Sequence, residues 1–234
     1  MDRYLVAQEA NMTATSELND LIEAIKAGDT DRARAIARAR PELRSLRDDD
    51  GLLPATEALY RGQDALARDL LPGDGELSVF EAATFARDDR LGELLASEPD
   101  VVRGWSPDGF TLLHLALFSG SPDTVRRVLA AGADLEAPSR SSVARGVRPI
   151  HTAAFVSRAD LGALLIDAGA DVDGREAGGF TALHAAAENA DVEMVRLLLS
   201  RGADPRLTDD RGRTAADIAR EKGAREVEEV LRGA

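Results

Sequence analysis

Cysteine is absent from this sequence, which rules out disulfides, a thiolate nucleophile and any cysteine metal site. That suits a reducing compartment, and a cytoplasmic location is the expectation. Lysine is almost absent as well. Lys26 and Lys222 are its only occurrences, so arginine supplies the rest of the 29 basic residues. Arginine in place of lysine, beside abundant Ala, Gly and Asp, points to a GC-rich coding background and a bacterial source. Aromatic residues form only 4% of the chain, so a core must be built from Ala, Leu and Val. No run approaches the roughly 18 apolar residues of a membrane span, and no membrane association is expected. The opening MDRYLVAQEANMTATS also lacks the apolar centre of a signal peptide.

What remains is enough to fold. The chain has 234 residues, 44% of them apolar, which allows one large domain or two small ones and excludes general disorder. Its 42 acids and 29 bases leave a net charge of −13, which argues against a nucleic-acid partner.

Internal periods decide the architecture. Gly-Ala-Asp stands at Gly132–Asp134, Gly169–Asp171 and Gly202–Asp204, at intervals of 37 and 33 residues. Ahead of these lie Thr-Leu-Leu-His (Thr111–His114), Arg-Pro-Ile-His (Arg148–His151) and Thr-Ala-Leu-His (Thr181–His184). His114, His151 and His184, the only three histidines, keep the same two intervals. A fourth copy, Thr-Ala-Ala-Asp-Ile-Ala, begins at Thr214. Within Thr181–Ser200 the pattern reads physically. Thr181 can cap a first helix and Ala185–Ala187 keep it thin. Val192, Val195, Leu198 and Leu199 recur at helical spacing, and Gly202 supplies a left-handed C-terminal cap.

This pattern resembles the ankyrin repeat, a β-turn followed by two helices with a T-P-L-H-x-A signature and a period of 33. The resemblance implies an all-α solenoid of stacked helix-turn-helix units with short β-hairpin loops. Small residues marking the turn between paired helices align at Gly28, Gly62, Arg87, Gly120, Ser157, Ala190 and Gly223. About seven units result, at roughly 17–47, 48–75, 76–105, 106–138, 139–175, 176–208 and 209–234, forming a single domain behind a tail of residues 1–16. The tail falls outside the repeats, and Met12 offers an alternative start. Pro41 and Pro99 break the helix ends of the first and third units. The short spacing into the third unit predicts that Pro72–Glu76 replaces a hairpin. The long spacing into the fifth predicts that Ala137–Arg148, carrying Arg140, Arg145 and Arg148, projects as the longest finger.

Catalytic and metal signatures are missing: no His-Glu-x-x-His, Gly-x-Ser-x-Gly or Walker-type loop occurs. No cofactor is expected. The histidines invite a metal reading, but stacking would hold equivalent positions about 10 Å apart, too far for one ion with ligands about 2.1 Å away. In the family the equivalent histidine bonds neighbouring backbone and locks one unit to the next. That role is implied for His114, His151 and His184.

The family's ligand surfaces are the hairpin tips and the exposed face of the first helix. One position on that face, two residues before the turn marker, reads Tyr60, Phe85, Phe118, Phe155, Glu188 and Glu221 in repeats two to seven. Phe110 and Phe180 follow the hairpin glycines Gly109 and Gly179. Aligned rings offer large apolar area at small entropic cost, as a protein-binding site needs. The competing reading packs them inward against the next hairpin. These residues, with Arg140 and Arg145 of the finger, are the expected partner-binding set, for another protein or a second copy of the chain. The implied function is non-enzymatic protein binding. One alternative is an acidic antagonist or immunity-type protein that covers a basic toxin or nucleic-acid enzyme. The other is an enzyme with a carboxylate site in the groove.

Overall fold

In the computed structural model, the backbone is described for residues 2–234 and side chains for residues 13–234. Fourteen α-helices run in seven antiparallel pairs among the described residues, with no sheet. The chain divides into two compact units, Met1–Leu77 and Ser78–Ala234, where a single domain had been expected. The division falls beside Pro72–Glu76, where the expected hairpin is replaced by a 3-10 turn at Asp74–Glu76.

The first unit holds α1 (Asp2–Lys26), α2 (Thr30–Ala39), α3 (Pro54–Tyr60) and α4 (Asp64–Leu70). Its core is aliphatic: Leu21, Ile25, Leu43, Leu53, Leu66 and Leu70 are buried. Helix α1 packs on α3, and α2 on α4. The start of α1 spans the residues assigned to a tail; the side chains of Tyr4 and Leu5, which would test its packing, lie outside the described residues. Pro41–Ser45 forms a 3-10 helix after α2, because proline lacks the amide that would continue the α-helix.

The second unit holds five pairs: α5 (Val79–Thr84) with α6 (Asp88–Ser97), α7 (Leu112–Ser119) with α8 (Pro122–Ala130), α9 (Pro149–Phe155) with α10 (Ala159–Asp167), α11 (Ala182–Glu188) with α12 (Val192–Ser200), and α13 (Ala215–Lys222) with α14 (Arg225–Arg232). First helices stack on first helices and second on second. One continuous apolar cluster results, from Val79 to Leu231. Small side chains permit this. Ala82, Ala83, Ala116, Ala153, Ala154, Ala186, Ala187 and Ala219 are all fully buried along the first helices. The last helix carries only a narrow buried stripe, Val227 and Leu231, as an end cap should.

The turn between paired helices needs a left-handed residue. It is found at Gly28, Gly62, Ala86, Gly120, Ser157, Ala190 and Gly223. Six of the seven sequence markers therefore stand. The third moves from Arg87 to Ala86 (φ 51°), and Arg87 instead begins α6 as its N-cap.

Hairpins precede the first helices. Isolated antiparallel bridges join Trp105 to Thr111, Arg175 to Thr181 and Thr208 to Thr214. The tip is closed by one repeated bond, from Ser106 N to Phe110 O and from Glu176 N to Phe180 O. In the fifth repeat Ser139 N donates to Val147 O and Gly146 N to Ser139 O. The extra residues thus sit inside that tip. They stand free as a finger only in part. Ser139 and Ser141 are buried, and Arg140 N donates to Gly109 O at 2.7 Å. A Cβ on Gly109 would lie 2.5 Å from Ser141 N, so only glycine lets the loop lean so closely on the preceding hairpin. Only the tip, with Val143 88% exposed, projects.

Candidate partner-binding face

The face is built from the C-terminal ends of the first helices. In the second unit the position two residues before each left-handed turn residue reads Thr84, Phe118, Phe155, Glu188 and Glu221. Phe85 drops out of the row. It is the half-buried C-cap of α5, and Thr84, buried with its hydroxyl donating to the Phe80 carbonyl, takes the aligned place. Tyr60 holds the corresponding position in the first unit and is 42% exposed there.

The rings meet different fates. Phe155 is 69% exposed. Phe118 is half-buried and sits edge-on to Phe110, with centroids 5.3 Å apart and planes at 86°. Phe110 itself is buried, 6.0 Å from the His114 ring. Its expected place at an exposed hairpin edge is therefore corrected: hairpin closure turns this ring inward. Phe180 is half-buried against His184, with centroids 5.1 Å apart. Local sequence explains the contrast. The hairpin position that holds Phe110 in one repeat holds Val147 in the next, so the Phe155 ring has no aromatic shelf of its own repeat to rest on.

The acidic end of the row is already partnered. Lys222 Nζ lies 2.9 Å from Glu188 Oε1, and an Arg213 guanidinium nitrogen lies 2.9 Å from Glu221 Oε2. Glu176, on the adjacent hairpin, is held differently. Its Oε2 is buried with no hydrogen-bond partner among the described residues. Burial first, and repulsion from Glu188 second, push its carboxyl up to about 7.

Arg140 stacks on Trp105, its guanidinium carbon 3.3 Å from the ring centroid, while Arg148 pairs with Glu136 at 2.7 Å. Arg145 is exposed.

Each histidine reaches the next repeat. Nε2 of His114, His151 and His184 meets the carbonyls of Val147, Phe180 and Arg213 at 2.9, 3.1 and 3.0 Å. The Thr111 and Thr181 hydroxyls meet Nδ1 of His114 and His184 at 2.7 and 2.8 Å. For His184 the Thr181 amide also donates to Nδ1, so the proton sits on Nε2. Burial lowers His114 and His151 to about 4, keeping both neutral.

Sequence reasoning missed the side chains that hold this face in place. Asn189 Nδ2 donates to the carbonyls of Ala154 and Phe155, each at 3.1 Å, and Arg158 donates to Gly120 O. Each follows a first helix and satisfies the open carbonyl end of the helix before it. The signal was a polar side chain one residue before or after a turn marker, which resembles any solvated turn residue.

Repeated helix pairs, bridged hairpins and histidines clasping the next carbonyl are now in place, and comparison with known families agrees. The family model for ankyrin repeats (3 copies) matches residues 113–209 and 150–233. The chain belongs to the ankyrin-repeat family. Ankyrin repeats generally act as protein–protein interaction modules. Protein PhlB of Serratia liquefaciens is 33% identical to the ankyrin chain over 127 residues, 54% of this sequence and 52% of that protein. The chain thus spans about half the length of that relative. Among the described residues no helix is long and apolar enough to cross a membrane.

Proposed function

We propose that this ankyrin-repeat protein is a non-enzymatic, cytoplasmic binding module whose second unit grips another protein through the first-helix face, with Phe155 as anchor. The observation that carries it is the exposure of Phe155. A largely exposed ring at a position that stacking repeats line up invites a complementary apolar pocket on a partner. Phe118 and Phe180, half-buried beside it in the sequence order of repeats, extend the apolar area. Glu188 and Glu221, each ion-paired within the chain, form the polar end of the row, and the tip carrying Arg140 and Arg145 supplies a second contact. Tyr60 is the corresponding contact of the first unit.

Phe155→Ala tests this directly. Its exposure predicts a melting temperature within about 2 °C of the parent, corresponding to a change of about 0.5 kcal/mol or less. Partner capture from lysate of the source organism, quantified against the parent chain, should fall at least tenfold, as for a hot spot of about 2 kcal/mol. A sharp fall in melting temperature would make the ring structural instead, and unchanged capture would remove it from the site.

The net charge of −13 favours one narrower reading: an antagonist that covers a basic toxin or nucleic-acid enzyme. In that case the association rate should drop steeply between low and physiological salt. A salt-independent rate would exclude it.

A further inference from the structure

A cavity of about 310 Å³ in the first unit is lined by Arg34, Ala37, Arg38, Arg44, Asp69 and Leu70. It lies between α2, the Pro41–Ser45 turn and the end of α4. Three arginines and one carboxylate share this lining, in a chain with thirteen more acids than bases. Arg34 is engaged: its Nε donates to Asp69 Oδ2 at 2.7 Å, and its terminal nitrogen lies 3.9 Å from Asp31. Nearby Arg40 is engaged too, by Glu17 and Glu42.

Arg38 and Arg44 differ. Neither side chain has an ion pair or hydrogen bond among the described residues, and Nε of Arg44 is buried without an acceptor. A buried charged donor left unmatched is costly, and two uncompensated guanidiniums in one cavity repel each other. An oxyanion relieves both conditions at once.

We propose that this cavity is an oxyanion site that takes a phosphate group, free or as a small phosphomonoester. The lining carries three positive charges and one negative, so a dianion neutralises it, whereas a carboxylate monoanion leaves one charge over. Guanidinium forks also match phosphate oxygens in paired hydrogen bonds. The volume stands near the lower end of small-ligand sites, roughly 300–1,000 Å³, and admits phosphate with a short organic arm. No residue of the site belongs to the partner-binding row.

Isothermal titration of the full chain at constant ionic strength, with inorganic phosphate, glycerol phosphate and acetate in turn, tests the site. Saturable one-to-one phosphate binding is expected, with acetate at least tenfold weaker. Tighter binding of glycerol phosphate would identify an ester as the natural form, and weaker binding would identify the free ion. Arg38→Gln and Arg44→Gln should each weaken phosphate at least tenfold, while Arg211→Gln, an exposed arginine of the second unit, should change nothing. If Arg44→Gln does not fold, the exposed Arg38→Gln and the charge-preserving Arg44→Lys, which loses the buried Nε and the fork, decide the question. Absence of saturable heat, equal binding of acetate, or equal loss in Arg211→Gln would overturn the proposal.

Discussion

At the scale of single residues, two kinds of buried titratable group pull stability in opposite directions with pH. His114 and His151 stay neutral in the fold down to about 4, whereas an unfolded chain protonates them near 6.5. Between those values the unfolded state binds more protons. Their contribution is therefore complete above about pH 6.5 and lost as pH falls toward 4. Glu176 behaves oppositely. Its carboxyl is raised to about 7, so the folded state binds more protons between about 4.5 and 7, and stability falls as pH rises through that window. Two nearly buried histidines outweigh one half-buried acid, and the melting temperature should drop between pH 7 and pH 5. Glu176→Gln should add about 1–2 kcal/mol at pH 7, discounted for partial exposure, and make the acid loss steeper. Thermal melts at both pH values check this. Superimposable pH curves for parent and variant would show that the Glu176 carboxyl is not perturbed.

At the scale of elements, the turn between paired helices sets the register of the repeat. Ala86, Ser157 and Ala190 adopt φ of 51°, 53° and 54°, a region that costs a side chain with Cβ about 1–2 kcal/mol. Glycine avoids that clash but loses more entropy on folding, so Ala190→Gly should stabilise by a net ~0.5–1 kcal/mol. A lower denaturant midpoint for this variant would contradict the turn geometry. The fifth hairpin supplies a second test. Trp105 is the sole tryptophan, and Arg140 covers its ring. Arg140→Ala should cost about 0.5–1 kcal/mol and shift the intrinsic fluorescence, because the indole loses its cationic lid. Unchanged emission would mean that the loop does not lean on the preceding hairpin.

At the scale of the whole molecule, the apolar cluster of the second unit closes on itself, drawing every member from Val79–Leu231. Residues 78–234 expressed alone should thus show a helical circular-dichroism spectrum and one cooperative melt, as nearest-neighbour stacking requires. A non-cooperative melt would show that this cluster is insufficient as a core. The division at Leu77 follows from chain length. Too few residues separate Gly62 from Ala86 for a hairpin in addition to the helices.

Much of this was legible in the sequence, because stacking forces the same chemistry to recur at a fixed interval. Thr-x-x-His, Gly-Ala-Asp and the turn glycines each mark a backbone requirement that few residues meet, so period and fold follow from residue identity alone. Where the required residue is absent the reading slips: alanine carries no sign of a left-handed conformation, and Ala86 could not be told from Arg87. Exposure was not legible either. Phe118 and Phe155 occupy equivalent positions, yet one ring rests on Phe110 and the other stands in solvent. The Arg38–Arg44 cavity was equally hidden, since its residues come from helices separated in sequence. Periodicity is a local property of the chain and can be read from it. Which ring finds a neighbour, and which guanidinium lacks an acid, depends on contacts between side chains far apart in sequence, and only the tertiary structure decides those.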